Sequence, residues 1–185
     1  MKTIKKIAIT GPESTGKSEI TRQLAEHFST SWVPEYARTY LDELHDPYQQ
    51  KDLTAIAKGQ LKSEALMLER ANGLLFCDTE LTVIKIWSEF KYGTVDPWIV
   101  SKCNENPYDL YLLMDIDLPW VFDKQREQPE RRTYFFDWFL RELQLRGVNY
   151  AIVHGKGHER FKNATKVIEQ FLHKPASTAI RGLFQ

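Results

Sequence analysis

Short apolar runs alternate along the chain with longer segments in which apolar residues recur every three or four positions. The short runs are typical of buried strands, and the three-to-four spacing is typical of amphipathic helices. This alternation favours an α/β fold in which helices cover a parallel sheet. We predict five strands, at residues 4–10, 32–33, 74–78, 110–115 and 150–153, and five helices, at residues 17–28, 53–71, 82–92, 133–146 and 159–173.

The chain is 185 residues long, which is about the length of one domain. We expect a single domain over residues 1–173, followed by a tail over residues 174–185 that lacks periodicity. Residues 123–132, before the last but one helix, contain no hydrophobic side chain. Such a charged stretch is either a solvated loop or a mobile lid, at about residues 121–132, that carries arginines to a bound phosphate.

The charges balance, with 25 Lys and Arg residues, 25 Asp and Glu residues and a formal net charge of zero. This balance excludes the basic surface typical of a nucleic-acid binder, and the 42% hydrophobic content excludes the composition typical of disorder. Two cysteines cannot form a disulfide framework, and neither a signal peptide nor an apolar run of ~20 residues is evident. We therefore expect a cytoplasmic protein with no membrane span and no nucleic-acid partner, and composition does not indicate its oligomeric state.

A phosphate-binding pattern follows the first predicted strand: residues 11–18 read Gly-Pro-Glu-Ser-Thr-Gly-Lys-Ser and open a predicted helix. The glycines allow successive N–H groups to point at phosphate oxygens. Lys17 supplies a charge to the β and γ phosphates, and the Ser18 hydroxyl is a Mg²⁺ ligand. The residues predicted to bind ATP here are Gly11, Glu13, Ser14, Thr15, Gly16, Lys17, Ser18 and, one turn later, Thr21.

Carboxylates follow two other predicted strands, at the edge where open parallel sheets bind ligands. Asp78 ends an apolar run, a Walker B pattern that suits Mg²⁺ or the proton of an acceptor hydroxyl; the alternative is an N-cap for the helix that begins near Glu80. Glu35 follows the second strand and could orient the acceptor hydroxyl; the alternative is a surface pair with Arg38. We predict Ser18 and Asp78 as metal ligands, and Lys17, Glu35 and Asp78 as catalytic residues.

Arginines of the charged segment are candidates for neutralising the migrating phosphoryl group, because charge stabilisation carries most of the rate of phosphoryl transfer. The candidates are Arg126 with Arg131 or Arg132, and spacing alone does not rank the three. We assign Arg126 to catalysis and Arg131 to ATP. Gly155 and Arg160, which follow the fifth strand, are predicted to border the adenine.

Five motifs in register resemble one known family. They are the phosphate loop, Glu35-Tyr36-x-Arg38, Asp52-x4-Ala57-x-Gly59-Gln60, Phe76-x-Asp78-Thr79 and Pro119-Trp120-Val121-x-Asp123-x2-Arg126. Their order and spacing, from about residue 4 to residue 171, are similar to those of the ribosylnicotinamide kinase domain of the bacterial NadR family. The resemblance implies a nucleoside-kinase-like P-loop fold with a five-stranded parallel sheet and a lid. It also implies ATP- and Mg²⁺-dependent phosphorylation of nicotinamide riboside to nicotinamide mononucleotide, a step of NAD salvage.

The resemblance also indicates which residues lie near the nucleoside. Glu35, Tyr36, Arg38, Asp78 and Asp123 belong to the matching motifs, and Trp87 and Trp120 are further candidates because a flat cationic nicotinamide ring favours aromatic faces. The alternative for each aromatic residue is packing of helices onto the sheet. Because the first strand begins at Ile4, we expect this kinase domain to stand alone.

Two other functions compete with nicotinamide riboside kinase. The chain could phosphorylate another nucleoside or small metabolite, since fold alone does not determine function. It could instead be a regulatory P-loop ATPase that acts as a nucleotide-binding switch. The pair of carboxylates Glu35 and Asp78 favours a kinase, because a switch needs no acceptor-binding carboxylate after the second strand.

Overall fold

The computed structural model describes residues 3–105, 108–173 and 180–183. Within them, six parallel strands form one sheet in the order β2-β3-β1-β4-β5-β6. The strands are β1 (Lys5–Thr10), β2 (Trp32–Val33), β3 (Leu74–Asp78), β4 (Leu110–Met114), β5 (Tyr150–Val153) and β6 (Arg181–Leu183). The helices are α1 (Lys17–His27), α2 (Tyr36–Glu43), α3 (Gln50–Leu68), α4 (Leu81–Tyr92), α5 (Pro97–Glu105), α6 (Arg132–Arg146) and α7 (Gly157–His173), and a 3-10 helix at Pro129–Arg131 precedes α6.

The α/β prediction is confirmed, and each of the five predicted strands and five predicted helices is present. Helices α2 and α5 were not predicted. Helix α2 has only eight residues, none of them fully buried, and α5 has nine residues of which two are buried. Segments this short show too few helical turns for their periodicity to stand out in the sequence. No helix among the described residues is long and apolar enough to cross a membrane.

The predicted strand number and tail need a correction. Residues 181–183 form a sixth strand that pairs with β5, with Tyr150 opposite Arg181 and Ile152 opposite Leu183. The preceding Ile180 is buried in the core, where its N–H donates to Asn149 Oδ1 at 3.0 Å. Three residues carry too little periodicity to be recognised in the sequence, and the pairing depends on β5. The rest of the predicted tail, residues 174–179 and 184–185, lies outside the described residues.

Helices cover both faces of the sheet, because side chains alternate between its faces along each strand. On one face, Ile7 and Ile9 of β1 pack with Leu24 of α1 and Ile168 of α7. On the other face, the intervening Ala8 packs with residues of α4 and α6. A third cluster joins α2, α3, α4 and α5 beside the sheet.

The strand order determines where ligands can bind. The chain leaves β1 towards β2 on one side of the sheet and leaves β3 towards β4 on the other. Ligands of open α/β sheets bind at the carboxyl ends of strands where such a reversal occurs. The reversal here brings the phosphate loop after β1 next to Asp78 at the end of β3, and Ile9 pairs with Asp78 in the sheet.

Candidate active site

The phosphate loop is a tight turn whose glycines have left-handed backbone conformations, with φ of 128° at Gly11 and 76° at Gly16. The space is also restricted. A Cβ at Gly11 would lie 3.1 Å from the Met114 carbonyl oxygen, and one at Gly16 would lie 3.0 Å from Cδ1 of Leu118. Because Gly16 has no side chain to cap α1, the first N–H groups of that helix are available to an anion.

Lys17 lies inside this loop. Its Nζ donates to the carbonyl oxygens of Gly11 at 3.1 Å and Pro12 at 2.7 Å. Burial lowers the pKa of the ammonium, and the largest opposing effects come from the carboxylates of Glu35 and Asp78. The cation is therefore held between the loop and the two predicted carboxylates.

Asp78 is the buried carboxylate of the site, with a 1% exposed side chain. Burial raises its pKa to about 6; Glu35 contributes in the same direction, whereas a hydrogen bond from Ser18 and the charge of Lys17 oppose it. Oδ1 of Asp78 has no hydrogen-bond partner among the described residues. A buried oxygen without a partner, next to a hydroxyl, fits the oxygen ligands that Mg²⁺ prefers. Ser18 and Asp78 can therefore hold this cation.

The alternative role of Asp78 as a helix cap is taken by another residue. The Glu80 side chain accepts hydrogen bonds from the backbone N–H and the hydroxyl of Thr82, both at 2.7 Å, and so caps α4. Glu80 also accepts from the hydroxyl of Thr10 at 3.1 Å, which ties α4 to the end of β1. Asp78 is thus not needed as a cap.

Glu35 follows β2, where it both borders the cavity and pairs with Arg38. Its carboxylate lines the main cavity, and its Oε2 lies 3.3 Å from Nε of Arg38. Arg38 in turn donates from Nη1 to Oδ2 of Asp123 at 2.8 Å. Arg38 therefore connects the acceptor-side carboxylate to residues 121–132, and its guanidinium is shared with Asp123.

One cavity of about 340 Å³ is lined by Lys17, Glu35 and Arg38. Asp78 is not among its lining residues, although the next residue, Thr79, is. The polar end of the cavity is the phosphate loop, together with Glu35, Arg38 and Arg126. Its other end is formed by apolar side chains of three helices and is called the acceptor chamber below; its residues are Leu53 and Ile56 of α3, Val83, Ile84 and Trp87 of α4, and Phe135 and Phe139 of α6. A charged end beside an apolar chamber suits a ligand with phosphate at one end and a flat ring at the other.

Residues 121–132 lie over the phosphate loop, as expected of a lid. The Glu13 carboxylate accepts the N–H groups of Glu127 and Gln128, each at 3.2 Å. The Ser14 hydroxyl accepts the N–H of Val121 at 2.8 Å. Burial raises the pKa of Glu13, although these backbone N–H groups act against the increase. Glu13 and Ser14, which were predicted as ATP-binding residues, therefore also hold the lid.

The structure separates the three lid arginines. Nη1 of Arg126 donates to the Val121 carbonyl at 2.6 Å and lies 3.4 Å from the Ser14 hydroxyl. Arg132 donates to the Ser14 carbonyl at 3.1 Å and lines the cavity. Arg131, the residue assigned to ATP, lies over the ring of Phe90 at 5.5 Å. Arg131 does not line the cavity, whereas Arg132, with which α6 begins, does. The assignment of Arg131 to ATP stays a prediction.

The residues expected near the adenine have structural contacts. Arg160 is 3% exposed and donates to the carbonyl oxygens of Gly155, Thr15 and Asp115, and it forms an ion pair with Asp117. This guanidinium supports the phosphate loop from behind, and its contact with adenine stays a prediction. Gly155, whose carbonyl accepts one of these hydrogen bonds, has a φ of 99° and is not part of the cavity lining. Thr21 is buried, and its hydroxyl donates to the Lys17 carbonyl at 2.8 Å within α1.

Of the predicted aromatic contacts, Trp87 lines the acceptor chamber, and its ring centroid lies 5.1 Å from that of Phe135. The other two are elsewhere. The Tyr36 ring packs against Gly59 of α3, and Trp120 is outside the cavity lining. Sequence reasoning missed Tyr48, Gln60, Phe135 and Phe139 as lining residues. The two phenylalanines are also buried core residues, and the helical spacing of such residues does not reveal that they border a cavity.

The fold and the loop together define a P-loop protein with the architecture of nucleotide and nucleoside kinases. A family model described as AAA domain matches residues 6–160, and the chain belongs to this family.

Two curated relatives are the trifunctional NAD biosynthesis/regulator proteins NadR of Escherichia coli (strain K12) and Salmonella typhimurium (strain LT2). They are 25% and 30% identical to the chain over 178 residues. Each alignment covers 91% of this chain and 43% of the relative, so the chain spans less than half of their length. The chain is homologous to NadR, which confirms the resemblance stated from its motifs.

Solved structures share the fold. A NadR protein crystallised with NR superposes with a TM-score of 0.73 at 19% identity, over 96% of this chain and 52% of that chain. The thymidylate kinase from Ehrlichia chaffeensis gives 0.61 at 13% identity, over 90% of this chain and 98% of that chain. A deoxyadenosine kinase from M. mycoides gives 0.59 at 14% identity, over 89% and 99%.

Proposed function

We propose that the chain transfers the γ-phosphoryl group of ATP to the 5′-hydroxyl of nicotinamide riboside, forming nicotinamide mononucleotide and ADP. The observation that carries this proposal is one cavity lined by the phosphate loop, the Glu35 carboxylate, Arg126 and Arg132 at one end and by the acceptor chamber at the other. Homology to NadR, and the NadR structure that holds NR, support the choice of acceptor.

The polar end accounts for binding of the triphosphate. The free N–H groups at the start of α1 are donors for phosphate oxygens, and Lys17 exchanges its present carbonyl partners for the β and γ phosphates. Arg126 and Arg132 add positive charge from the lid side of the loop. Ser18 and Asp78 would hold Mg²⁺, which supplies further charge neutralisation of the phosphates when bound.

The carboxylates account for the acceptor hydroxyl. In the transfer, the acceptor oxygen forms a bond to the γ phosphorus, the bond from that phosphorus to the β–γ bridging oxygen breaks, and ADP leaves. The hydroxyl proton is lost to a carboxylate, and Glu35, at the cavity edge between loop and chamber, is the residue we assign to receive it. Arg38 fixes this carboxylate through its Nε.

The acceptor chamber accounts for the base. Trp87 and Phe135 line the cavity, and cations are attracted to aromatic faces by roughly 0.5–2 kcal/mol. The nicotinamide ring of the riboside is flat and positively charged. A chamber of this chemistry therefore favours nicotinamide riboside over a neutral pyrimidine nucleoside of similar size.

The test is release of ADP from Mg-ATP, measured with nicotinamide riboside, with a panel of neutral nucleosides, and with no acceptor. We expect nicotinamide riboside to stimulate ADP release most strongly and to gain one phosphate per ADP formed, as read by mass spectrometry. Lys17→Met should abolish this activity. Lys58→Met is the matched control, because Lys58 lies on α3 over the Trp98 ring, away from the loop.

Each other result identifies a different function. Stimulation by another nucleoside alone would keep the kinase and reject the nicotinamide acceptor. ADP release that no acceptor stimulates would favour a regulatory ATPase and reject the kinase proposal.

A further inference from the structure

The motif Asp52-x4-Ala57-x-Gly59-Gln60 on α3 has no role in the proposed transfer, yet Gln60 contacts the residues that directly follow the two predicted carboxylates. Gln60 is 1% exposed and lies at the cavity. Its Oε1 accepts the backbone N–H of Tyr36 at 3.0 Å, and its Nε2 lies 3.4 Å from the Thr79 carbonyl oxygen. Tyr36 directly follows Glu35, and Thr79 directly follows Asp78.

We propose that Gln60 is a positioning residue that sets the spacing between the Glu35 and Asp78 carboxylates by joining the peptides next to them. We call this pair of contacts the Gln60 bridge. The inference depends on the proposed function in one respect: Glu35 and Asp78 take part in the same reaction. The amide orientation follows from the partners, because a backbone N–H needs an acceptor and a carbonyl needs a donor.

The Gln60 bridge joins the segments at Tyr36 and Thr79, which no hydrogen bond of the sheet connects to each other. Strand β2 pairs with β3 only at Trp32 and Val33, so the chain from residue 34 onward has left the sheet when it reaches Glu35. On the other side, Thr79 has a φ of 71°, a left-handed conformation that is unusual for a β-branched residue. Its N–H donates to the Ile9 carbonyl at 3.0 Å, and its carbonyl is the group that faces Gln60.

Gly59 adds a second contact to the same segment. A Cβ at this position would lie 2.0 Å from Cε1 of Tyr36, so the ring rests directly on the helix backbone. Two turns earlier, the Asp52 carboxylate accepts the hydroxyl of Tyr40 at 2.8 Å. The motif therefore attaches α2 to α3 through three contacts, made by Asp52, Gly59 and Gln60. The contact made by Gln60 is the one next to Glu35.

A direct role for Gln60 in binding the acceptor is the competing explanation, because Gln60 also lines the cavity. The two explanations differ in kinetics. A residue that only positions the carboxylates lowers kcat when it is removed, since misplacement of reacting groups by about 1 Å can cost on the order of 100-fold. A residue that binds the acceptor raises the acceptor KM.

The experiment compares Gln60→Met, which keeps the size of the side chain and removes both hydrogen bonds, with Gly59→Ala, which displaces the Tyr36 ring and keeps Gln60. The control is Gln50→Met, the same change at the start of α3, where the amide donates to Thr94. We measure kcat and KM with nicotinamide riboside, or with whichever nucleoside the wild type phosphorylates. We also measure the Mg²⁺ concentration needed for half-maximal binding of a non-hydrolysable ATP analogue.

We expect both site variants to lower kcat by roughly 10- to 100-fold with the acceptor KM changed by less than about 3-fold. We expect a several-fold higher Mg²⁺ requirement, and a double variant no worse than the more severe single one. Gln50→Met should resemble the wild type. Unchanged kcat and Mg²⁺ requirement, or a raised acceptor KM at unchanged kcat, would overturn the inference.

Two features keep the result decisive. If Gln60→Met does not fold by circular dichroism, Gly59→Ala alone carries the test. If the wild type phosphorylates no acceptor, the proposed function fails, and the Mg²⁺ requirement of the variants still decides whether the Gln60 bridge positions Asp78.

Discussion

Nη1 of Arg38 donates to Oδ2 of Asp123 at 2.8 Å, and this contact joins α2 to the lid across 85 positions of the sequence. Gln125 reinforces it by donating to the Arg38 carbonyl at 3.3 Å, whereas Lys124 and Asp42 beside it form a largely exposed ion pair, which contributes little. Because Arg38 also contacts Glu35, the lid and the acceptor-side carboxylate share one guanidinium. Movement of the lid and placement of the acceptor are therefore expected to be coupled.

Our first prediction concerns this contact. Arg38→Ala and Asp123→Ala should each lower kcat/KM by roughly 2- to 5-fold, the size expected for a partly exposed ion pair. The double variant should be no worse than Arg38→Ala, because the two residues act through one contact. Each single change should also speed chymotrypsin cleavage after Phe122, which is 84% exposed on the lid.

The control for the lid contact is Lys124→Ala, whose side chain is 75% exposed. We expect it to leave both kinetics and cleavage close to those of the wild type. Additive losses in the double variant would instead mean that Arg38 and Asp123 contact the substrate independently, as the sequence alone suggested.

A second prediction follows from the buried carboxylate at the end of β3. Burial raises the pKa of Asp78 to about 6, so the folded protein binds this proton more tightly than the unfolded chain does. Ionisation of Asp78 therefore lowers stability as pH rises through about 6. Without nucleotide or magnesium, Asp78→Asn should raise Tm by on the order of 5 °C at pH 7.5 and change it little near pH 4.

The same Asp78→Asn variant should lose phosphoryl transfer while it still binds an ATP analogue, because the phosphate loop is intact. Thermal unfolding at the two pH values and calorimetric binding provide the measurements. Near-normal turnover would show that the magnesium carboxylate lies elsewhere, and a lower Tm at pH 7.5 would show that the ionised group is stabilising.

A third prediction separates the lid arginines. Arg126→Ala should lower kcat by on the order of 100-fold or more, since arginines that neutralise the transferred phosphoryl group have effects of this size or larger. Arg131→Ala should change kcat by less than about 2-fold, because its guanidinium lies over Phe90. Steady-state kinetics at saturating ATP and acceptor test this. Equal effects of the two changes would contradict the placement of Arg131.

A fourth prediction concerns Arg160 behind the phosphate loop. Arg160→Met should lower the free energy of unfolding by roughly 2–4 kcal/mol, because it leaves Asp117 and three carbonyl oxygens without their donor. Urea denaturation measures this loss. If Arg160 contacted the adenine instead, the same change would raise the ATP KM and leave stability near that of the wild type.

The central strands were predictable because β1, β3, β4 and β5 are buried on both faces and read as continuous apolar runs. Helix α2 and strand β6 were not predictable for the opposite reason. Helix α2 contributes no fully buried side chain, and the three residues of β6 become a strand only by pairing with β5.

The candidate site was predictable where one short segment carries all the chemistry. Residues 11–18 form the phosphate loop, and Asp78 ends β3, as their local patterns indicate. The functions of Arg131, Arg132 and Arg160 could not be read in this way. Each guanidinium has the same chemistry, and only the direction of its helix decides which group it reaches.

The sequence by itself determined the order of strands and helices, the phosphate loop and the carboxylates that follow β2 and β3, because these depend on periodicity and on residues adjacent in the chain. The tertiary structure decided that Glu80, not Asp78, caps α4, that Arg38 holds the lid, and that Gln60 joins the peptides beside the two carboxylates. These relationships depend on distances between segments that are far apart in sequence. Such distances are set by the packing of helices against the sheet, which no local pattern specifies.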